Sequence, residues 1–341
     1  MIVFRADSNR LIASGHIMRC MSIAKAFHET GEEVEFLVAD ENPVRMLESV
    51  GVHYTILYST WNNLEDEIDL VKTKLQGYNN PIFIIDTYQV TKRYVEELQP
   101  YARICYLGSK QEYLGRLKAL INYSTDIDYE FYRSNYGNET KLLLGPQYAP
   151  LRKEFSEVKQ KEKNDGRCRV LITTGNTDPG RYVIKMLSRY ELEGITNQVE
   201  FHVVVGGMFD NKDELHRLYD DHSSIHLHEN VKSMSSLMAI SDLAISANGT
   251  TVYELAAARV PAITFAMVEE QLKSARKLSE LGVVDYCGEI YNNEEGCINR
   301  IVEHTRLYLE QEELRLRLAN KANSVIDGKG CNRIVEELKN L

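Results

Sequence analysis

Short apolar runs alternate with amphipathic segments along the whole chain, and the alternation is interrupted once, by a stretch almost free of apolar residues. The first series of strands and helices runs through residues 2–4, a helix after Gly15, then 34–38, 43–50, 54–57, 64–75, 82–85 and 91–98, and is extended by strands at 103–107, 119–121 and 142–144. Strands that are apolar on both faces and separated by helices belong to a parallel sheet covered on both sides. Residues 154–167 are mostly Lys, Glu, Asp, Asn and Gly, the composition of a solvated linker. The series then restarts with strands at 170–173, 201–205, near 225, 243–246 and 262–265, and helices after Pro179 and at 213–219, 231–240, 271–281 and 298–318. With 341 residues the chain exceeds what one core usually supports. The pattern predicts two doubly wound α/β domains, residues 1–153 and 168–341, with the linker at 154–167. Sheets of this kind bind ligands beyond the carboxyl ends of their strands, so a shared cleft is expected there, and the loops after strands are where chemistry is sought.

Composition narrows the ligand classes. Hydrophobic residues at 43% and charged residues at 26% suit a soluble globular protein, and a formal net charge of −10 without a Lys/Arg block argues against nucleic acid as a partner. An anionic ligand must therefore be held by a local device. The six cysteines (Cys20, Cys105, Cys168, Cys287, Cys297, Cys331) form no CxxC pair and read as reduced packing residues of a cytoplasmic protein. Residues 2–4 enter a strand directly, with no leader pattern before them and no apolar run of membrane-spanning length, so neither export nor stable membrane insertion is expected.

The strongest local device is Asn248-Gly249-Thr250-Thr251-Val252-Tyr253-Glu254, which follows an apolar strand and opens a helix. The first N–H groups of a helix have no intrahelical acceptor and sit at the positive end of its dipole, a ready site for phosphate. Gly249 gives a ligand access to the backbone, Thr250 and Thr251 add hydroxyl donors, and Glu254 lies one turn in, within reach of a ribose diol. Without a ligand the same segment reads as a strand-to-helix turn capped by Thr251. A second loop, Arg5-Ala6-Asp7-Ser8-Asn9, leads through Ser14-Gly15-His16 into a helix whose buried stripe is Ile17, Met21 and Ala24. Gly15 clears space beside His16, an imidazole placed to act as a general base; the alternative is a capping or surface histidine. Arg5 and Asp7 serve either a ligand or a buried ion pair that braces the loop.

Arg5-Ala6-Asp7, Gly15-His16-Ile17-Met18-Arg19-Cys20, Leu143-Leu144-Gly145-Pro146-Gln147-Tyr148-Ala149-Pro150-Leu151-Arg152 and the segment from Gly249 to Ala257 together resemble the UDP-2,4-diacetamido-2,4,6-trideoxy-β-L-altropyranose hydrolases of the pseudaminic acid pathway, a family close to proteins named for spore coat polysaccharide biosynthesis. The second half is also similar to the nucleotide-binding half of the glycosyltransferase that makes lipid II. The resemblance implies a GT-B fold, two Rossmann-like doubly wound parallel-sheet domains facing a cleft. It further implies hydrolysis of a UDP-sugar by water at the anomeric carbon, with inversion and with neither metal nor cofactor. In that family's terms His16 is the base, the turn at Gly249, Thr250 and Thr251 holds the diphosphate, Glu254 binds the ribose, and Asn248 and Gln271 contact diphosphate or sugar. Asp86-Thr87-Tyr88 matches an Asp-Ser-Tyr segment whose tyrosine reaches toward the sugar, although an aromatic closing the sheet edge is an equal reading of Tyr88.

The chain departs from that pattern in places. The aspartate pair usual after the strand at 103–107 is absent, Asn176 stands for the second glycine of a Gly-Gly-Ser-Asp-Pro turn, and Val268-Glu269-Glu270-Gln271 keeps only the glutamine of its counterpart. Asparagine tolerates a left-handed backbone, so Asn176 is expected to preserve the turn and line the site. His226 and His228, with His222 nearby, lack the further ligands a metal needs. Gly206-Gly207 has no third glycine for a dinucleotide fingerprint and reads as a loop beside the nucleotide, and the tyrosines between Tyr123 and Tyr136 read as a lid or a domain surface. Three functions fit: a UDP-sugar hydrolase of surface-polysaccharide biosynthesis, a GT-B glycosyltransferase using a UDP-sugar donor, or a noncatalytic nucleotide-sugar binding module.

Overall fold

The computed structural model describes residues 1–158 and 166–341, and the chain divides into two compact units, one of residues 1–153 with 329–341 and one of residues 154–328. The expected linker at 154–167 lies outside the described residues over 159–165. In unit 1 the strands are β1 (Ile2–Ala6), β2 (Val34–Val38), β3 (His53–Ile56), β4 (Ile82–Asp86), β5 (Arg103–Leu107), β6 (Ala119–Asn122) and β7 (Lys141–Leu144). The helices between them are α1 (Gly15–Glu29), α2 (Val44–Ser49), α3 (Ile68–Gln76), α4 (Lys92–Leu98) and α5 (Tyr129–Tyr136). All pairings are parallel, in the order β3-β2-β1-β4-β5-β6-β7. Unit 2 holds strands β8 (Cys168–Thr173), β9 (Val199–Val205), β10 (Ile225–Glu229), β11 (Leu243–Ala247), β12 (Ala262–Ala266) and β13 (Asp285–Glu289). Its helices are α6 (Tyr182–Leu192), α7 (Lys212–Tyr219), α8 (Met234–Met238), α9 (Thr250–Ala257), α10 (Leu272–Glu280), α11 (Glu294–Glu310) and α12 (Glu312–Val325). Its parallel sheet has the order β10-β9-β8-β11-β12-β13.

The strand alternation that suggested sheets buried on both faces is visible residue by residue. Ile2, Phe4 and Ala6 enter one core cluster of unit 1, while Val3 between them enters the cluster on the opposite face with Leu37, Phe83 and Ile85. Each sheet also reverses its winding once, between β1 and β4 in unit 1 and between β8 and β11 in unit 2. At such a reversal the neighbouring loops diverge to opposite faces and leave a crevice beyond the carboxyl ends of the two strands. His16 stands at the start of α1 after β1, Asp86 ends β4, and Asn176 and Asn248 lie in the loops after β8 and β11.

Three sequence expectations need correction. The helix expected over 298–318 is two helices, α11 and α12, broken at Gln311, and β13 was not foreseen. The last helix, α13 (Gly330–Lys339), belongs to unit 1 and not to the second domain. Its Cys331, Ile334, Val335 and Leu338 fill the core cluster that contains Ile17, Cys20 and Phe27 of α1, so apolar burial draws the chain end back. The tyrosine-rich segment is neither lid nor surface at its centre: Tyr132 and Tyr136 of α5 are buried in the core of unit 1, with Asp128 capping the helix through Phe131 N at 2.9 Å. Among the described residues no helix is long and apolar enough to cross a membrane.

Candidate functional site

In unit 1 the site grows from the face of α1 that presents His16, Arg19 and Cys20, residues spaced three and four apart and therefore neighbours on one side of the helix. All three converge on Asp86, the last residue of β4, whose side chain is buried. His16 Nδ1 lies 2.6 Å from Asp86 Oδ1, Arg19 Nε donates to Oδ2 at 2.5 Å while its Nη2 donates to Oδ1, and the Cys20 thiol donates to Oδ2 at 3.3 Å. Burial on its own would push the Asp86 carboxyl up. The charge of Arg19 and the hydrogen bonds from His16 and Arg19 outweigh it and hold the carboxyl below its usual range, so Asp86 is an anion at neutral pH.

An anionic acceptor at 2.6 Å assigns the proton of a neutral imidazole to Nδ1 and leaves a lone pair on Nε2. The guanidinium Nη2 of Arg19 also stands 3.2 Å from Nδ1, but both atoms carry protons, and the shorter contact with the carboxylate sets the tautomer. Arg19 is anchored at its other end by the Tyr123 hydroxyl at 2.9 Å. Gly15 opens α1 with nothing within 4 Å of where a Cβ would stand, so the helix start beside His16 is unobstructed. Tyr88 lies two residues beyond Asp86, half exposed, its ring edge-on to the His16 imidazole at 5.4 Å between centroids. Of the expected stripe on α1, Ile17 and Ala24 are buried but Met21 is only partly so; the buried face is Ile17, Cys20, Ile23, Ala24 and Phe27.

Arg5 and Asp7 take part in a buried network of ion pairs. The Arg5 side chain is wholly enclosed; it donates to Glu67 from Nε at 2.6 Å and Nη2 at 3.0 Å, and to Asp7 from Nη1. Asp7 accepts from the Ala39 amide at 2.7 Å, and Glu67 also accepts from Ser59 and Tyr94 hydroxyls at 2.6 and 2.9 Å. Burial works against the charge on Arg5, but Asp7 and Glu67 overcome it and hold its proton more tightly than usual.

In unit 2 the segment after β11 has the predicted strand, turn and helix. Gly249, not Thr251, occupies the N-cap position of α9, with an extended backbone (φ −152°) and no side-chain cap. No atom lies within 4 Å of a Cβ built on Gly249, so the helix start is open in front of its first amides. Thr250 is exposed, and Thr251 and Glu254 are half-buried at the same end. Asn248 is 3% exposed; its amide Nδ2 donates to the Gln271 carbonyl at 3.4 Å, and its Oδ1 has no partner among the described residues. A buried acceptor left unpaired costs about 1–3 kcal/mol, an arrangement that suits an atom waiting for a donor. Gln271 braces its own loop by accepting from Met267 N at 2.8 Å.

Asn176 acts differently from the expectation. The left-handed residue of its turn is Gly175 (φ +86°), and Asn176 is not at positive φ. Its side chain accepts from Gly207 N at 3.0 Å, its carbonyl accepts from Met208 N at 3.0 Å, and the loops after β8 and β9 are thereby joined. Gly206 is required there, since a Cβ would stand 2.5 Å from the carbonyl oxygens of Gly175 and Asn176.

No protein-family model matches the chain. It is 25% identical over 205 residues to the spore coat polysaccharide biosynthesis protein SpsG of Bacillus subtilis, a match covering 59% of this chain and 59% of that protein. It is 24% identical over 282 residues to the uncharacterised protein MJ1062 of Methanocaldococcus jannaschii, covering 79% of this chain. The chain thus spans only 56% and 59% of the length of these relatives. Among solved structures it is similar to a glycosyltransferase from Rickettsia africae (TM-score 0.63, 14% identity, 100% of this chain and 99% of that one). It is also similar to Anabaena HepE in complex with UDP-glucose (TM-score 0.59, 15% identity, 100% and 99%). The fold is that of GT-B glycosyltransferases.

Sequence reasoning did not assign Asp86, Arg19, Cys20 or Tyr123 to the site. The spacing of His16, Arg19 and Cys20 on one helical face was a usable signal. Nothing in the spacing shows that Asp86 and Tyr123, 70 and 104 residues from the side chains they bond, close the cluster.

Proposed function

We propose that this chain is a UDP-sugar hydrolase of polysaccharide biosynthesis, acting in the cytoplasm on a diacetamido-trideoxy or related amino sugar. The observation that carries the reading is the pairing of His16 with Asp86 at the winding reversal of unit 1: an imidazole held by an anionic carboxylate, with its second nitrogen free to accept a proton. In the step proposed, Nε2 takes a proton from water as the water oxygen attacks the anomeric carbon; the bond from that carbon to the diphosphate oxygen breaks, and UDP leaves with the electron pair. Attack from the face opposite the leaving group inverts the centre. Tyr88, beside the imidazole, serves to hold an N-acetyl group of the sugar.

Unit 2 holds the leaving group. The open start of α9 at Gly249, Thr250 and Thr251 offers amide and hydroxyl donors to the charge that builds on the diphosphate. Glu254 accepts from the ribose hydroxyls, the unpaired Oδ1 of Asn248 accepts a donor from the nucleotide sugar, and Gln271 and Asn176 hold the surrounding loops in place. The named function of the Bacillus subtilis relative and the UDP-glucose complex of the Anabaena protein support a nucleotide-sugar ligand.

The fold shared with glycosyltransferases favours a second reading, in which the same base deprotonates an acceptor hydroxyl in place of water. The two are separated by incubating the protein with a panel of UDP-sugars, with and without acceptors, and following UDP and sugar by NMR. Free sugar formed in the absence of acceptor supports the hydrolase; products formed only with acceptor replace it with the transferase. Binding without turnover leaves a noncatalytic module.

A further inference from the structure

We propose that unit 2 carries a binding site for a divalent transition-metal ion of the zinc type, made by Asp285 and Cys287 of β13 and His304 of α11. Each offers a different ligand atom, a carboxylate oxygen, a sulfur and an imidazole nitrogen, and the three atoms lie within 4.8 Å of one another. His304 Nδ1 and Asp285 Oδ2 are 2.6 Å apart. Residues two apart on a strand project from the same face, which places Asp285 and Cys287 together under the helix. Tetrahedral zinc with ligands near 2.0–2.3 Å separates its nitrogen and oxygen ligands by roughly 3.4 Å, so the ion enters by spreading the imidazole and the carboxylate slightly.

The backbone around the cluster is built to hold it. Arg300, one turn before His304 on the same face of α11, donates from Nε to the Cys287 carbonyl at 2.7 Å and ties the helix to the strand at the ligand itself. The register between β12 and β13 slips there, Thr264 pairing with Tyr286 but Ala266 with Glu289, which is a bulge on β13. Gly288 lies in that bulge at φ +109°, and a Cβ there would meet Arg300 Nη2 at 2.7 Å. A glycine and a bulge thus admit the arginine that positions the histidine.

The donor set states the chemistry. A thiolate with an imidazole selects zinc or cobalt(II) over magnesium and calcium, which take oxygen ligands. A thiolate and a carboxylate together neutralise a doubly charged ion, and Cys287 is 1% exposed whereas the Asp285 and His304 side chains are 22% and 32% exposed. The ion therefore reaches the ligands from the solvent side, where water completes the coordination. Asp285 opens the edge strand, at the end of the sheet opposite the start of α9. The ion has no part in the reaction proposed above and serves to pin α11 to the edge strand that its apolar face already covers.

The test is titration of the full chain, purified with chelator and reductant, with cobalt(II) and then zinc. One equivalent of cobalt is expected to give a thiolate-to-metal charge-transfer band in the near ultraviolet, to be displaced by zinc and to raise the thermal unfolding midpoint. Cys287→Ser is expected to abolish the band, and His304→Ala, on a half-exposed helix face, to weaken binding at least about tenfold while leaving the circular dichroism unchanged. Cys297→Ser, which changes the neighbouring cysteine of the same core cluster, is expected to keep the band. Absence of stoichiometric binding, a band that survives Cys287→Ser, or undiminished affinity in His304→Ala overturns the proposal.

Discussion

Asp86 is the residue on which the unit 1 site turns, because one buried carboxylate fixes an imidazole, a guanidinium and a thiol from a single face of α1. Asp86→Asn keeps the shape but presents a neutral amide to His16, which no longer sets the tautomer. Turnover of the substrate found in the UDP-sugar panel is expected to fall by at least about 10²-fold with the dissociation constant for UDP unchanged. Equal turnover in the variant would remove Asp86 from the mechanism. Arg5 makes the opposite case, since its partners are all internal. Arg5→Met leaves Glu67 and Asp7 buried without their counter-charge and is expected to cost about 3–5 kcal/mol in urea unfolding. A variant of normal stability with raised KM would instead make Arg5 a ligand contact. Both side chains are buried, so their partners separate the roles: Asp86 holds the partly exposed His16, whereas among the described residues Arg5 bonds only to the buried Asp7 and Glu67.

At the scale of elements, the start of α9 and the edge strand β10 behave in different ways. Gly249 has neither left-handed backbone nor crowded space to require glycine. Gly249→Ala is therefore expected to shift stability by less than about 0.5 kcal/mol while a methyl group in front of the first amides weakens UDP binding, measured by calorimetry. Unimpaired binding would argue against phosphate at this turn. On β9, His202 is 8% exposed and stacks on His228 of β10 with Nδ1 2.9 Å from His228 Nε2, with His226 beside them. Burial first, then the repulsion of His228 and His226, lowers the His202 pKa from 6.5 to about 4, against a smaller opposing pull from Glu200.

The unfolded chain thus takes up this proton below pH 6.5 and the folded chain only near pH 4, so the unfolded state binds more protons between them and stability rises with pH. The contribution, about 3 kcal/mol, is complete above pH 6.5 and is lost as pH falls toward 4. Urea unfolding of unit 2 at neutral pH and near pH 4.5 is expected to show this slope in the native chain and a flatter one in His202→Gln. Equal slopes would contradict it.

For the whole molecule, the decisive feature is the return of α13 to unit 1. Ile334 and Leu338 are fully buried and Val335 nearly so, each contributing roughly 1.5–3 kcal/mol, a sum comparable to the stability of an ordinary domain. Deleting residues 329–341 is expected to unfold unit 1 or to expose α1 to hydrogen exchange while leaving the amides of β8, β9 and β11 protected. Protection retained in α1 would show that the helix is dispensable. The truncated chain should also keep its affinity for UDP, because the residues assigned to the diphosphate all lie in unit 2.

The sequence by itself determined the period of each element, hence the parallel sheets buried on both faces, the division into two units and the strand-turn-helix at Asn248, Gly249 and Thr250. Those features are local: a run of apolar residues, a helical spacing and a turn glycine act within a few residues of one another. Tertiary structure alone decided which distant side chains meet. It joined Asp86 to His16, enclosed Arg5 with Glu67, brought Asn248 against Gln271, set Cys287 beneath His304 and folded α13 back onto α1. The physical reason is that these contacts depend on strand order and on the burial of charge, and neither is written in the spacing of residues along the chain.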